Sequence, residues 1–178
     1  MTFALQNGVY VSENNRDFTL TKVNNTYLLS TLVHKYEFNE SGRLVRYENN
    51  HNEIIHYEYE NGLLKRVIYG ENQVLTFEYE STRNLLSRVI KFDGNAVRYE
   101  YDEAGNLIKA YDEKGNFVSY TYNEEHYLTE TYNRKQQREA TYHYDSEGRV
   151  VEVVDGKGRS KYIHYYETKT VEIDARGN

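Results

Sequence analysis

Aromatic and polar residues alternate in short stretches that recur along the chain. In Tyr99-Glu100-Tyr101 the two rings are two positions apart, so on a β-strand they face one side and Glu100 faces the other. The polar segment 102–105 ends in Gly105, and residues of these types favour a turn. An apolar stretch follows from Leu107. The pattern predicts a strand, a turn and a second strand, which together form a β-hairpin.

This pattern repeats at nearly constant spacing. The leading aromatic residues stand at positions 36, 57, 77, 99, 120 and 142. A fixed period of this length is typical of repeat proteins, whose units bury their apolar sides against their neighbours. We therefore predict an all-β fold of tandem antiparallel β-hairpins, about 21 residues each. The predicted repeat aromatics are Tyr36, Phe38, Tyr57, Tyr59, Phe77, Tyr79, Tyr99, Tyr101, Tyr120, Tyr122, Tyr142 and Tyr144, and the predicted turn glycines are Gly42, Gly62, Gly105 and Gly148.

The second strand of each repeat alternates imperfectly between apolar and polar residues. Val150-Val151 and Val153-Val154 place apolar groups on both faces of a regular strand. Two interpretations remain open at this point. Either both faces are partly covered, or a β-bulge interrupts the alternation.

The chain divides into two regions by this pattern. Residues 1–34 fit the repeat poorly and carry turn signals at Asn7-Gly8 and Asn24-Asn25, so we predict two hairpins that form a degenerate repeat or a cap. Residues 35–178 carry the repeats. The last residues, 174–178, resemble the turn 112–116, which predicts that the array stops within a repeat. We expect the hairpin around 163–173 to fray or to associate edge to edge with another copy.

Composition narrows the possible partners. The chain has 20 tyrosines but no tryptophan, proline or cysteine, and tyrosine suits half-buried positions on strands. The formal net charge is −6 and no cluster of Lys or Arg stands out, so we predict no nucleic-acid partner. No apolar run approaches the roughly 20 residues of a membrane-spanning helix, so no membrane span is predicted.

Candidate catalytic chemistry is sparse. The six histidines lack metal-ligand spacing, and His143 and His164 belong on a polar outer stripe opposite the aromatic pairs. We predict no catalytic residue, no metal and no cofactor, and a non-enzymatic protein. Rows of tyrosines can also stack on sugar rings, so a glycan-binding ladder is the alternative to aromatics buried between repeats. A carbohydrate- or protein-binding module at the cell surface is therefore the alternative function.

The motif resembles the YD-repeat, or Rhs-repeat, family, whose hallmark is Tyr-x-Tyr-Asp, two spacers, Gly, a basic or polar residue, and Leu or Val. Segments 99–107 and 142–150 match it almost fully. Segment 36–44 matches with Phe38 and Asn39 substituted. The copy at Phe77 has Asn84 in place of glycine, and the copy at Tyr120 lacks glycine.

The resemblance implies a long curled sheet that forms part of a shell or spiral. In Rhs toxins, insecticidal toxin complexes and teneurins, such a sheet winds into a shell, which in the toxins encloses a cytotoxic domain. It implies flanking repeats and an enclosed cargo or toxin domain as partners, in a secreted or cell-surface protein. The family's proline-containing self-cleavage motif has no counterpart in this sequence, so no cleavage residue is assigned.

Overall fold

A computed structural model describes residues 3–6, 9–12, 17–174 and 176–177, with the backbone alone at 3–6, 9, 11 and 12. The predicted turn at Asn7-Gly8 lies outside these residues. All regular elements within them are β-strands, and none is a helix that could cross a membrane. The strands are β1 (Phe3–Gln6), β2 (Val9–Ser12), β3 (Thr19–Val23), β4 (Thr26–Ser30), β5 (His34–Phe38), β6 (Leu44–Asn49), β7 (Ile54–Glu60), β8 (Leu63–Tyr69), β9 (Gln73–Tyr79), β10 (Leu86–Ile90), β11 (Ala96–Tyr101), β12 (Leu107–Tyr111), β13 (Phe117–Tyr122), β14 (Leu128–Tyr132), β15 (Arg138–Tyr144), β16 (Val150–Asp155), β17 (Ser160–Tyr165) and β18 (Thr170–Ile173).

The strands are distributed over two compact units. Unit 1 comprises Met1–Glu78 and Val89–Asn95, and unit 2 comprises Tyr79–Arg88 and Ala96–Asn178. Within unit 1 each strand from β1 to β8 pairs antiparallel with the next. Within unit 2 the strands from β11 to β18 do the same. The predicted all-β fold of tandem antiparallel hairpins is confirmed.

The turns that begin at Asp102, Asp112, Asp145 and Asp155 share one hydrogen-bonding scheme. At Asp145 the backbone N–H donates to the Arg149 carbonyl over 3.0 Å, and the Gly148 N–H donates to the Asp145 carbonyl over 3.1 Å. The Asp145 carboxylate accepts the N–H groups of Glu147 and Arg149, each at 2.9 Å. Asp is therefore suited to this position because its side chain satisfies turn amides that have no strand partner.

A β-bulge recurs in the second strand of the repeats. In β16, Val150 lies opposite Tyr144 and Glu152 opposite His143, so Val151 is the extra, unpaired residue. The same shift occurs in β6, β8, β12 and β14. The bulge explains why Val150-Val151 breaks the alternation of the sequence, and it increases the local right-handed twist of the strands.

The two faces of the sheet differ in chemistry within each unit. The face that carries the first aromatic of each pair also carries small or apolar partners, such as Ala110 opposite Tyr99. The other face, here named the charged face, carries acidic and basic side chains on neighbouring strands. For example, Nζ of Lys109 lies 3.4 Å from Oε2 of Glu100. Among residues whose side chains are described, no hydrophobic side chain is fully buried. Apolar burial therefore comes from neighbours on the same face and is shared among many half-covered rings.

Candidate functional site: the repeat junction

The predicted repeat aromatics all lie on the first strand of their hairpins, from β5 to β15. All twelve are half-buried, neither enclosed nor fully exposed. Tyr36, the first aromatic of its pair, contacts Tyr47 within its own hairpin, with 5.3 Å between the ring centroids. In the pairs that end in Tyr59, Tyr101, Tyr122 and Tyr144, the second aromatic reaches back to the preceding repeat. This contact between consecutive repeats is named the repeat junction.

A tyrosine hydroxyl forms the centre of each junction. The Tyr144 hydroxyl donates to the backbone carbonyl of Leu128 over 2.7 Å. Leu128 is the first residue of β14, the second strand of the preceding repeat. The same bond, 2.8–3.0 Å long, joins Tyr59 to Leu44, Tyr101 to Leu86, Tyr122 to Leu107 and Tyr165 to Val150.

Burial keeps these hydroxyls in the form that donates. It raises the pKa of the phenols of Tyr101, Tyr122 and Tyr144 above the ordinary value of 10.0, and the neighbouring tyrosine of each pair raises it further. Because only the neutral phenol carries the proton, the raised pKa favours the form of the hydroxyl that donates.

A second contact covers the ring of the same tyrosine. The Arg43 guanidinium lies over the Tyr59 ring at 5.7 Å, and that of Arg149 lies over the Tyr165 ring at 4.7 Å. In one of the repeats between these two, Tyr127 occupies the equivalent position and stacks on Tyr144 with 4.9 Å between ring centroids. In these three junctions the covering residue stands directly before the first residue of the second strand. A cation or an aromatic ring at this position suits the face of a phenol.

Sequence reasoning missed this covering position. The family hallmark allows a basic or polar residue there, but Tyr127 does not resemble Arg43 or Arg149 by residue type. The signal that could have identified the position is its spacing. Each covering residue precedes by 16 or 17 positions the tyrosine that it covers.

Two of the turn glycines, Gly42 and Gly148, directly precede the covering residues Arg43 and Arg149. Gly42, Gly62, Gly105 and Gly148 all adopt left-handed φ angles, between 74° and 90°. A Cβ atom at Gly148 would stand 2.7 Å from Cζ of Tyr127, so this turn requires glycine for close approach as well as for its φ angle. In the copies without glycine, Asn84 and His126 adopt the left-handed conformation, with φ angles of 56° and 65°.

Turn carboxylates in the described region are stabilised as anions. The backbone N–H of Arg149, followed by its guanidinium, lowers the pKa of Asp145. The equivalent donors of Arg159 lower the pKa of Asp155 from 3.8 to about 2. Asn39 accepts the N–H groups of Ser41 and Arg43 in the same geometry without a charge. The carboxylates are therefore turn-forming groups whose proton affinity is low.

No catalytic cluster accompanies the junctions in the residues that the structure describes. There is no group of three or more His, Cys, Asp or Glu side chains there that could hold a metal ion. His143 lies on the charged face, with Nε2 3.9 Å from a carboxylate oxygen of Glu152. A concave region of about 740 Å³ near β17 and β18 is lined by charges that pair with one another, including Lys161 with Glu172 at 2.9 Å. The arrangement joins consecutive repeats.

The family model that matches this chain, over residues 72–172, is described as the teneurin YD-shell. The chain belongs to the teneurin YD-shell family. The resemblance drawn from Tyr-x-Tyr-Asp and the turn glycines is thereby confirmed. No curated protein matches the chain.

Solved structures with a similar course of the chain include toxin complexes. One is the Tc holotoxin pore of Photorhabdus luminescens, at 12% identity and a TM-score of 0.47, covering 93% of this chain and 12% of that chain. Another is the TcdB2-TccC3-Cdc42 structure, at 12% identity and a TM-score of 0.49, covering 93% of this chain and 14% of that one. This YD-shell chain thus spans about an eighth of the length of these structures.

Proposed function

We propose that this chain is a non-enzymatic wall segment of a YD-type shell and that the shell encloses a cargo domain, such as a toxin. The observation that carries the proposal is the repeat junction, which recurs with one geometry from Tyr59 to Tyr165. Each repeat offers a carbonyl and a covering side chain, and the following repeat offers a tyrosine. A link of this kind is directional, so it can extend a sheet repeat by repeat without a fixed end.

The contacts that the junction tyrosines already make within the chain favour a structural wall over a sugar-binding row of rings. A ring that stacks on a sugar must present a free face, and its hydroxyl commonly bonds the ligand. At Tyr144, for example, the hydroxyl donates to the Leu128 carbonyl and one face of the ring stacks on Tyr127. The opposed charges of the other face suit contact with water, as at a solvated surface.

Protease protection in the complete natural protein tests the cargo part of the proposal. We expect segments outside residues 1–178 to resist trypsin in the folded protein and to become cleavable in the Tyr144→Ala variant, which opens a junction. Tyr166→Ala is the matched control because the Tyr166 side chain is 58% exposed. Cleavage of those segments at the same rate in all three proteins would contradict enclosure, and so would a complete protein that has no further domain.

A further inference from the structure

One imidazole and two phenols form an aromatic cluster in the hairpin β5–β6. Tyr36 on β5 lies directly opposite Tyr47 on β6, with 5.3 Å between the ring centroids. His34, two residues before Tyr36, stacks on the Tyr47 ring at a centroid distance of 5.6 Å and lies 6.1 Å from the ring of Tyr36. All three side chains are half-buried, so each keeps some contact with solvent.

The hydroxyl of Tyr47 has a base as its hydrogen-bond partner. Its oxygen lies 2.8 Å from Nδ1 of His34. A phenol O–H is much more acidic than the N–H of a neutral imidazole, so the hydroxyl is assigned as the donor and the imidazole proton to Nε2. The Tyr144 hydroxyl, in contrast, donates to the Leu128 carbonyl, which is not a base at ordinary pH. Tyr47 can therefore pass its proton to a neighbour when it loses an electron.

This hydrogen bond bears directly on oxidation of the phenol. A phenol that loses an electron but keeps its proton is a very strong acid, so oxidation is easiest when the proton leaves in the same step. An imidazole held at the hydroxyl accepts that proton. The resulting phenoxyl radical carries spin density on the ring carbons beside the oxygen. A second phenol held in contact is then its nearest coupling partner.

We propose that Tyr36 and Tyr47 form an oxidative cross-linking site, at which a one-electron oxidant, such as a haem peroxidase supplied with hydrogen peroxide, produces dityrosine. Tyr47 is oxidised first and passes its proton to His34, which releases it to water. A second equivalent oxidises Tyr36, whose proton goes to water. A Cε–Cε bond then forms between the two radicals, and the hydrogens on the bonded carbons move to the phenolic oxygens. Two tyrosines and one hydrogen peroxide thus give one dityrosine and two waters.

The cross-link would close one hairpin covalently. Tyr36 and Tyr47 are already paired across β5 and β6, so the new bond follows the existing register. A link of this kind restricts the unfolded chain, as a disulfide does. The chain has no cysteine but 20 tyrosines, so its composition allows a tyrosine bond where it cannot form a disulfide. The site does not depend on whether the wall encloses a cargo.

Limited oxidation of the full chain tests the proposal. Light-activated tris(bipyridine)ruthenium with persulfate serves as the one-electron oxidant, at less than one equivalent per chain. Trypsin places Tyr36 in peptide 36–43 and Tyr47 in peptide 47–65, so a bond between them joins two separate peptides. We expect mass spectrometry of the monomeric product to recover this joined pair, lighter by two hydrogen atoms and with the fluorescence of dityrosine.

A second tyrosine pair in the same chain is the internal reference. Tyr127 and Tyr144 stack with 4.9 Å between their centroids, but the Tyr144 hydroxyl faces a carbonyl and not a base. Trypsin separates them into peptides 115–134 and 139–149. Because a positioned base accelerates proton removal, the 36–43 and 47–65 pair should form about tenfold faster than this reference pair, or more.

Three variants separate the base from the geometry. His34→Gln offers an oxygen acceptor that does not take up a proton, so the rate of cross-linking should fall to that of the reference pair. Tyr47→Phe should abolish the product, whereas Tyr57→Phe, in the same tryptic peptide, should leave it unchanged. The proposal is overturned if the two peptides are not joined, if they are joined only in covalent dimers, if His34→Gln reacts as fast as the parent chain, or if Tyr57→Phe and not Tyr47→Phe removes the product.

Discussion

The hydroxyl of Tyr144 donates a 2.7 Å hydrogen bond to the backbone carbonyl of Leu128, sixteen residues earlier in the chain. This bond ties the first strand of one repeat to the second strand of the repeat before it. Because Tyr127 covers the same ring, one side chain is held both at its edge and on its face. The second tyrosine of the motif therefore acts as a connector between repeats.

Removing only the hydroxyl should weaken the junction measurably. We expect Tyr144→Phe to lower the free energy of unfolding by about 1 kcal/mol, because the ring keeps its contacts while one hydrogen bond is lost. Tyr142→Phe is the control, since the hydroxyl of Tyr142 forms no junction. Urea denaturation of both variants checks the difference. Equal stabilities would show that the bond contributes nothing beyond what water provides.

Removing a whole tyrosine ring should lower the free energy of unfolding more than removing its hydroxyl does. Tyr101→Ala or Tyr144→Ala should lower the free energy of unfolding by about 2 kcal/mol, less than the 3–5 kcal/mol of a fully buried aromatic because these rings are half-buried. Tyr166→Ala, at an exposed position, should change it by less than about 0.5 kcal/mol. Thermal denaturation of these variants and of the parent chain measures the difference. Unchanged stability with a loss of sugar binding would instead indicate a glycan ladder.

Two turn glycines should respond differently to alanine. Gly115→Ala forces a φ angle of 83° on a residue with a Cβ but meets no atom within 4 Å, so we expect a loss of about 1 kcal/mol. Gly148→Ala imposes similar strain and also displaces Tyr127 from its position over Tyr144, so the loss should be clearly larger. Chemical denaturation of the two variants separates the effect of backbone strain from that of steric crowding. Equal losses of free energy of unfolding would argue against close packing at Gly148.

Acid should lower the stability of the fold over a defined pH range, because the turn carboxylates become protonated there. The pKa values of Asp102, Asp112, Asp145 and Asp155 are lowered in the folded chain, that of Asp155 from 3.8 to about 2. A lowered carboxyl pKa stabilises the fold fully above the unfolded value and loses that effect as the pH falls through the folded value. Stability should therefore decline between about pH 4 and pH 2.

An amide at one of these turns provides the control for the acid response. Asp155→Asn keeps an acceptor oxygen, as Asn133 does for the N–H groups of Lys135 and Gln137, but it cannot be protonated in this range. The variant should therefore show a shallower decline between pH 4 and pH 2 than the parent chain in urea denaturation. An unchanged pH profile would mean that the Asp155 carboxylate is not linked to folding.

The sequence by itself determined the strands, the turns and the family. Aromatic residues two positions apart favour a strand, and the recurring glycines favour a turn. Both are local conformational preferences of the backbone, so they do not depend on distant residues. The period of the leading aromatic residues, at positions 36, 57, 77, 99, 120 and 142, sufficed to predict tandem hairpins. His126, which adopts a left-handed φ of 65° where glycine is absent, shows that the repeat imposes the turn even when the local residue does not favour it.

Only the tertiary structure decided how repeats are joined. Val150-Val151 was compatible with two covered faces or with a bulge, and the pairing with His143 and Tyr144 shows the bulge. The partner of the Tyr144 hydroxyl and the role of Tyr127 depend on the stagger between neighbouring hairpins. That stagger arises from strand twist and bulge position, which are collective properties of the sheet, and the sequence of a single strand does not specify either of them uniquely.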